Sequence, residues 1–159
     1  MLPLRDINPT RRRPVVTWAL IALSAAVFAY ELSLSTEAAT VMLTRYGVVP
    51  SVLTGGGLTL PRPQGGSLGA LVTPITSMFL HAGGLHLLGN MWFLHVFGDN
   101  VEDELGRPQF LLFYLGAGFG AALFQVLVEP SSLIPMVGAS GAISGVLADF
   151  EILEGVPDF

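Results

Sequence analysis

Residues 15–34 read VVTWALIALSAAVFAYELSL, and the single charge in these twenty positions is Glu31, close to the end. A helix rises about 1.5 Å per residue and the hydrocarbon core of a bilayer is about 30 Å thick, so a run of this length is enough to cross it. Directly ahead stand Arg11, Arg12, Arg13 and Pro14, a basic edge of the kind that stays on the cytoplasmic side. A secretory leader also begins basic and turns apolar, but its apolar body usually ends within about 7–15 residues. This run is longer, and further apolar stretches follow it.

Composition carries the same message. The 159 residues are 52% hydrophobic and 12% charged, with a mean hydropathy of +0.65. Soluble domains carry about a quarter charged residues, and a chain this short cannot bury so much apolar surface in a core of its own. The fold class expected is all-α: a polytopic transmembrane helix bundle. Net charge is −5, from seven arginines, no lysine and twelve acids, so no basic face offers itself to nucleic acid. The absence of cysteine excludes a disulfide framework and a thiolate metal site.

Working outward from the first run, residues 35–80 form a long mixed loop with Gly55-Gly56-Gly57, Pro61-Arg62-Pro63 and Gly65-Gly66. Its apolar patches, Val48-Val49 and Leu71 to Leu80, suit short helices lying in the membrane interface. A second span is expected from about Ala82 to Phe97, closed by a polar turn from Asp99 to Arg107. Pro108 suits the first turn of a third span over Gln109 to Val128, whose Gly116, Gly118, Gly120 and Ala121 permit close helix approach. A fourth apolar stretch runs from about Leu133 to Leu147. Four of the seven arginines precede the first span, so the N-terminus is expected inside, residues 35–80 and 129–137 outside, and 99–108 inside. The acids of that inner turn weigh little in this rule.

The polar residues inside these spans are few. All three histidines fall in one piece: His81, His86 and His95. His86 and Asn90 are four apart and share a helix face, whereas His95 lies half a turn round and about 13 Å deeper. Lipid offers such groups no partner, so they either bond neighbouring helices or face water. In the fourth stretch, Val137-Gly138-Ala139-Ser140-Gly141-Ala142-Ile143-Ser144-Gly145 reads equally as a small-residue packing face through Gly141 and Gly145. Topology brings the two pieces level, since Ser140 and His86 both open helices that enter from the outer side. Helix N-termini expose unpaired N–H groups and positive potential, which suits a nucleophilic serine and a developing oxyanion.

The stretch Thr76-Ser77-Met78-Phe79-Leu80-His81-Ala82-Gly83-Gly84-Leu85-His86-Leu87-Leu88-Gly89-Asn90-Met91 resembles the second-helix signature of the rhomboid intramembrane serine proteases. Phe97 to Gly106 resembles that family's following turn, and Val137 to Val146 its active-serine segment. The three motifs stand in order and in register between about Tyr46 and Leu147. The resemblance implies that Ser140 is the nucleophile and that His86 and Asn90 help bind the oxyanion. The implied reaction is hydrolysis of a peptide bond in or near a substrate's transmembrane segment, with no metal or cofactor. Transmembrane proteins and the lipid bilayer are the implied partners.

The chain also departs from the family. There the general base is a histidine two helices beyond the serine, and no histidine follows His95 here. Asp149, Glu151 and Glu154 stand where the fourth helix should stay apolar, each acid at mid-bilayer costing about 2.5–3.5 kcal/mol. The division expected is a cytoplasmic arm at 1–14, a partial rhomboid domain at 15–148 with three full spans and an incomplete fourth, and a divergent acidic tail at 149–159. Such a fragment, in a bacterial plasma membrane, is expected to be catalytically incomplete alone. A non-catalytic protein that binds transmembrane helices is the competing reading. An aspartyl intramembrane protease on Asp99 and Asp149 lacks any flanking motif, and no H-E-x-x-H is present for a zinc protease.

Overall fold

The computed structural model describes residues 13–55 and 67–155. The arm through Arg12, the loop glycines and prolines from Gly56 to Gly66, and the end of the acidic tail lie outside the described residues. Among the described residues seven α-helices follow one another: α1 (Val15–Ser33), α2 (Thr36–Tyr46), α3 (Pro50–Leu53), α4 (Ser67–Thr76), α5 (Gly84–Leu105), α6 (Arg107–Val128) and α7 (Ser140–Gly155). A 3-10 turn, Ser77–Phe79, links α4 to the segment before α5. No β-strand occurs among the described residues; one isolated antiparallel bridge joins Val48 to Met136.

The helices α1 and α6 are long and apolar enough to cross a membrane, at 19 and 22 residues. Both leave most of their surface outside the protein core, as helices facing lipid do. With 22 residues α5 has the same reach, and the result is the all-α transmembrane bundle the sequence implies. Two boundaries move. The expected turn at 99–107 is helical as far as Leu105, so the chain reverses on Gly106 alone, at φ +79 where a side chain would be strained. And α7 continues to Gly155, through Asp149 and Glu151, instead of stopping near Ala148. Sixteen residues span about 24 Å, still short of a full crossing.

Pro14 precedes α1 and has no side chain able to cap it. Glu102, at the far end of α5, does this instead. Its carboxylate accepts from the N–H groups of Val16 at 3.0 Å and Thr17 at 2.8 Å, and from the Thr17 hydroxyl at 2.9 Å. These are the orphan donors of a helix N-terminus, met by a full negative charge. At its other end α1 presents Glu31, buried, which accepts from the N–H of His81 at 3.4 Å. Thus α1 and α5 run antiparallel, tied at both ends.

The described part of the 35–80 segment is largely helical, as the apolar patches suggested. Ser35 caps α2 by accepting from Ala38 N–H. Val48 and Met136 exchange backbone hydrogen bonds at 3.0 and 2.7 Å, and Ser51 N–H donates to Ser132. These bonds strap the 130–138 segment, the start of the apolar stretch from Leu133, against the first loop as irregular backbone that delivers Ser140.

Candidate active site

The 80–83 segment leads into α5, whose first two turns carry His86 and Asn90. Asn90 is buried and its side-chain N–H donates to the His86 carbonyl at 2.9 Å, which locks the amide on the helix face it shares with the imidazole. His95 is exposed on the α1 side, its ring 5.0 Å from Trp18. The structure separates it from the other two histidines, as the half-turn offset requires.

The opposing wall is the turn into α7. Gly138 sits at φ +116 and its N–H donates to the Ser77 carbonyl at 2.8 Å. A Cβ on Gly138 would lie 2.6 Å from His86 Cε1, 2.7 Å from Nε2 and 3.8 Å from the Asn90 amide nitrogen. No residue with a side chain fits there, and the imidazole edge and the carboxamide both face the backbone two positions before Ser140. Ser140 opens α7 and is exposed.

The small-residue segment packs through one face and leaves its serines on another. A Cβ on Gly141 would lie 2.5 Å from Ala121 Cβ, and one on Gly145 would lie 2.6 Å from Ala117 Cβ. So Gly141 and Gly145 seat α7 on a matching Ala-x-x-x-Ala ridge of α6, by the close approach that small residues allow. Ser140 and Ser144 stand off that seam; the Ser144 hydroxyl donates to the Ser140 carbonyl at 2.8 Å. Packing holds the helix without using the serine hydroxyl. Of the expected small residues of α6, Gly118 faces Met78, whereas Gly116 and Gly120 have open space around them.

His81 is buried behind His86, the two rings edge to face with centroids 5.3 Å apart. Neither of its ring nitrogens has a hydrogen-bond partner. Burial, and after it the neighbouring charge of His86, push this imidazole down from 6.5 to about 4. It is neutral at physiological pH. Among the described residues no three His, Asp or Glu side chains converge as metal ligands.

Three participants escaped the sequence reading. Ser77 contributes a carbonyl and Gly138 an absent side chain, neither visible in residue type. Glu31 left a signal: Thr17, Ser24 and Glu31 recur every seven residues on α1 and all three are buried. A polar stripe of that period in an apolar helix marks the face turned to protein.

The comparisons with known proteins now bear on this geometry. The family model described as "Rhomboid domain" matches residues 68–153, a range that includes His86, Asn90 and Ser140. YdcA of Bacillus subtilis, whose name assigns it provisionally to the rhomboid proteases, is 36% identical over 136 residues, 86% of this chain and 60% of that protein. Rhomboid-like protein 11, chloroplastic, of Arabidopsis thaliana is 45% identical over 74 residues, 46% of this chain and 26% of its own length. Inactive rhomboid protein 1 of Drosophila melanogaster is 35% identical over 74 residues, 46% of this chain and 5% of that protein. The chain therefore spans between a twentieth and three fifths of these relatives. No solved structure matches it with comparable significance. With a domain match over more than half its length, on a bundle of apolar helices, the chain belongs to the rhomboid family of membrane proteins.

Proposed function

We propose that this chain carries the nucleophile and oxyanion-binding half of an intramembrane serine endopeptidase acting on transmembrane proteins. Ser140 Oγ attacks the carbonyl carbon of a substrate peptide bond. The oxygen that becomes negative is met by the His86 imidazole, the Asn90 carboxamide and the free N–H groups at the start of α7. The observation that carries this reading is the packing of His86 and Asn90 against Gly138, two residues before the serine.

The serine proton needs a base. His86 could take it only by leaving the oxyanion role, and His81 is held neutral with its ring nitrogens closed off by burial. No histidine follows His95. We therefore read the chain as carrying part of a catalytic domain, with the acids from Asp149 belonging to the end of α7, and expect the 159 residues alone to cleave far below the rate of a complete enzyme. The compartment we infer is a bacterial plasma membrane, and the Arg11–Arg13 cluster favours an N-terminus on its cytoplasmic side.

The test is reconstitution in liposomes with a model transmembrane substrate and a fluorophosphonate probe. Cleavage or labelling that disappears in Ser140→Ala supports the nucleophile, and a rate roughly 10²-fold lower in His86→Ala supports an oxyanion role. Equal residual activity in wild type and Ser140→Ala would favour the second reading, a non-catalytic protein that binds transmembrane helices. Similarity to an inactive relative keeps that reading in play.

A further inference from the structure

A trough of about 500 Å³, lined by neither His81 nor Ser140, opens between α1 and α2. That is within the roughly 300–1,000 Å³ typical of small-ligand sites. One wall is a single face of α1, Leu23, Val27 and Tyr30, spaced four and three apart over about 10 Å of helix, continued by Leu34 in the extended residue just past its end. The other is a face of α2, Ala38, Val41 and Arg45, and Leu80 lines it just before His81. Among the described residues the lining contains one charge, the Arg45 guanidinium, and no acid.

Arg45 is half-buried, its guanidinium carbon 5.5 Å from the centre of the Tyr46 ring. Among the described residues no carboxylate lies within ion-pair distance of it. The acid of α2, Glu37, sits two turns away in the first turn of the helix. The end of α2 that presents Arg45 is fixed, because the Thr76 hydroxyl donates to the Tyr46 carbonyl at 2.6 Å. So a long apolar channel ends at an unpaired, stacked cation on a membrane protein.

We propose that the trough binds one anionic phospholipid, an acyl chain along α1 and the phosphate on Arg45. The channel matches a linear hydrocarbon in shape and polarity. The guanidinium fork matches two phosphate oxygens, and the surrounding bilayer supplies the molecule. A zwitterionic headgroup brings a cation of its own beside Arg45; an anionic one does not. Tyr30 and Tyr46, both exposed, stand near the mouth, where amphipathic rings favour the interface. This assignment rests on the membrane fold and not on Ser140 chemistry, so either can fail alone.

Native mass spectrometry of the full 159-residue chain in a neutral detergent tests it, with phosphatidylglycerol titrated against phosphatidylcholine. The expected result is one saturable phosphatidylglycerol adduct, with phosphatidylcholine binding more weakly. Arg45→Gln should weaken phosphatidylglycerol roughly tenfold, the value of one charge-assisted contact, and leave phosphatidylcholine nearly unchanged. Val27→Trp, which fills the channel and keeps the cation, should abolish the adduct, with helix content by circular dichroism confirming the fold. If Arg45→Gln does not fold, Arg45→Lys keeps the charge without the fork and should bind phosphatidylglycerol a few-fold more weakly, roughly. Equal binding of both lipids, indifferent to Arg45, would overturn the proposal in favour of bulk lipid. So would cross-linking of two copies through a cysteine placed at Val41, since the occupant would then be a second chain.

Discussion

The two ends of the α1–α5 pair are built on opposite plans. At one end a buried carboxylate, Glu102, accepts three hydrogen bonds at 2.8–3.0 Å from α1, and little is left unmet. Arg107 adds little, being half-exposed with its Nε 3.8 Å away. At the other end Glu31 makes one long contact with a backbone N–H, His81 has two orphaned ring nitrogens, and Gly138 forces backbone against His86. The Glu102 carboxylate is fully engaged in holding α1, whereas at the second end His86 and Asn90 turn toward the backbone that leads to Ser140. One end holds the fold together, and the other is the one expected to do chemistry.

The largest break in that contrast should come from Glu102→Ala. It strands the N–H groups of Val16 and Thr17 in an apolar setting and should cost about 3–5 kcal/mol, read as reversible unfolding in mixed micelles. A loss below about 1 kcal/mol would mean that α1 finds another cap.

Acid should act on the opposite end. The unfolded chain protonates His81 near 6.5, but the folded chain does so only near about 4. Between those values the unfolded state binds more protons, so stability should fall as pH drops from about 6.5 towards 4, by up to about 3 kcal/mol. The slope should flatten in His81→Gln; an unchanged slope would assign the loss to other groups.

Gly145→Leu comes next, because its side chain meets Ala117 on the α6 seam. Overpacking of this kind costs about 1–3 kcal/mol and should lower stability and any Ser140-dependent labelling together. Smallest of all, Ser140→Ala should move stability by no more than about 0.5 kcal/mol, since the exposed hydroxyl holds nothing in the fold, while removing labelling entirely. A large stability loss would place the hydroxyl in the packing and break the division.

Much of the fold was legible because bilayer crossing is a matter of length and apolarity, both local properties. The spans at 15–34 and 109–128 and the proline at the start of α6 stand within a few residues of where the chain places them. The polar turn at 99–107 was misjudged because acids there look like solvent-facing loop, whereas Glu102 is buried and spoken for by a helix eighty-five residues away. Likewise the acids after Ala148 do not end α7; helix geometry tolerates them, and hydropathy alone does not report that.

By itself the sequence determined that this is a helical membrane protein, that His86 and Asn90 share a face, and that Ser140 opens a helix. Each of these follows from periodicity or composition within a few turns. Only the tertiary structure decided which polar groups meet. That Glu102 caps α1, that Gly138 must lack a side chain to admit His86, and that Gly141 and Gly145 rather than Ser140 form the helix seam depend on contacts between distant segments. Residue type says what a side chain can bond; the three-dimensional path of the backbone says what is within reach.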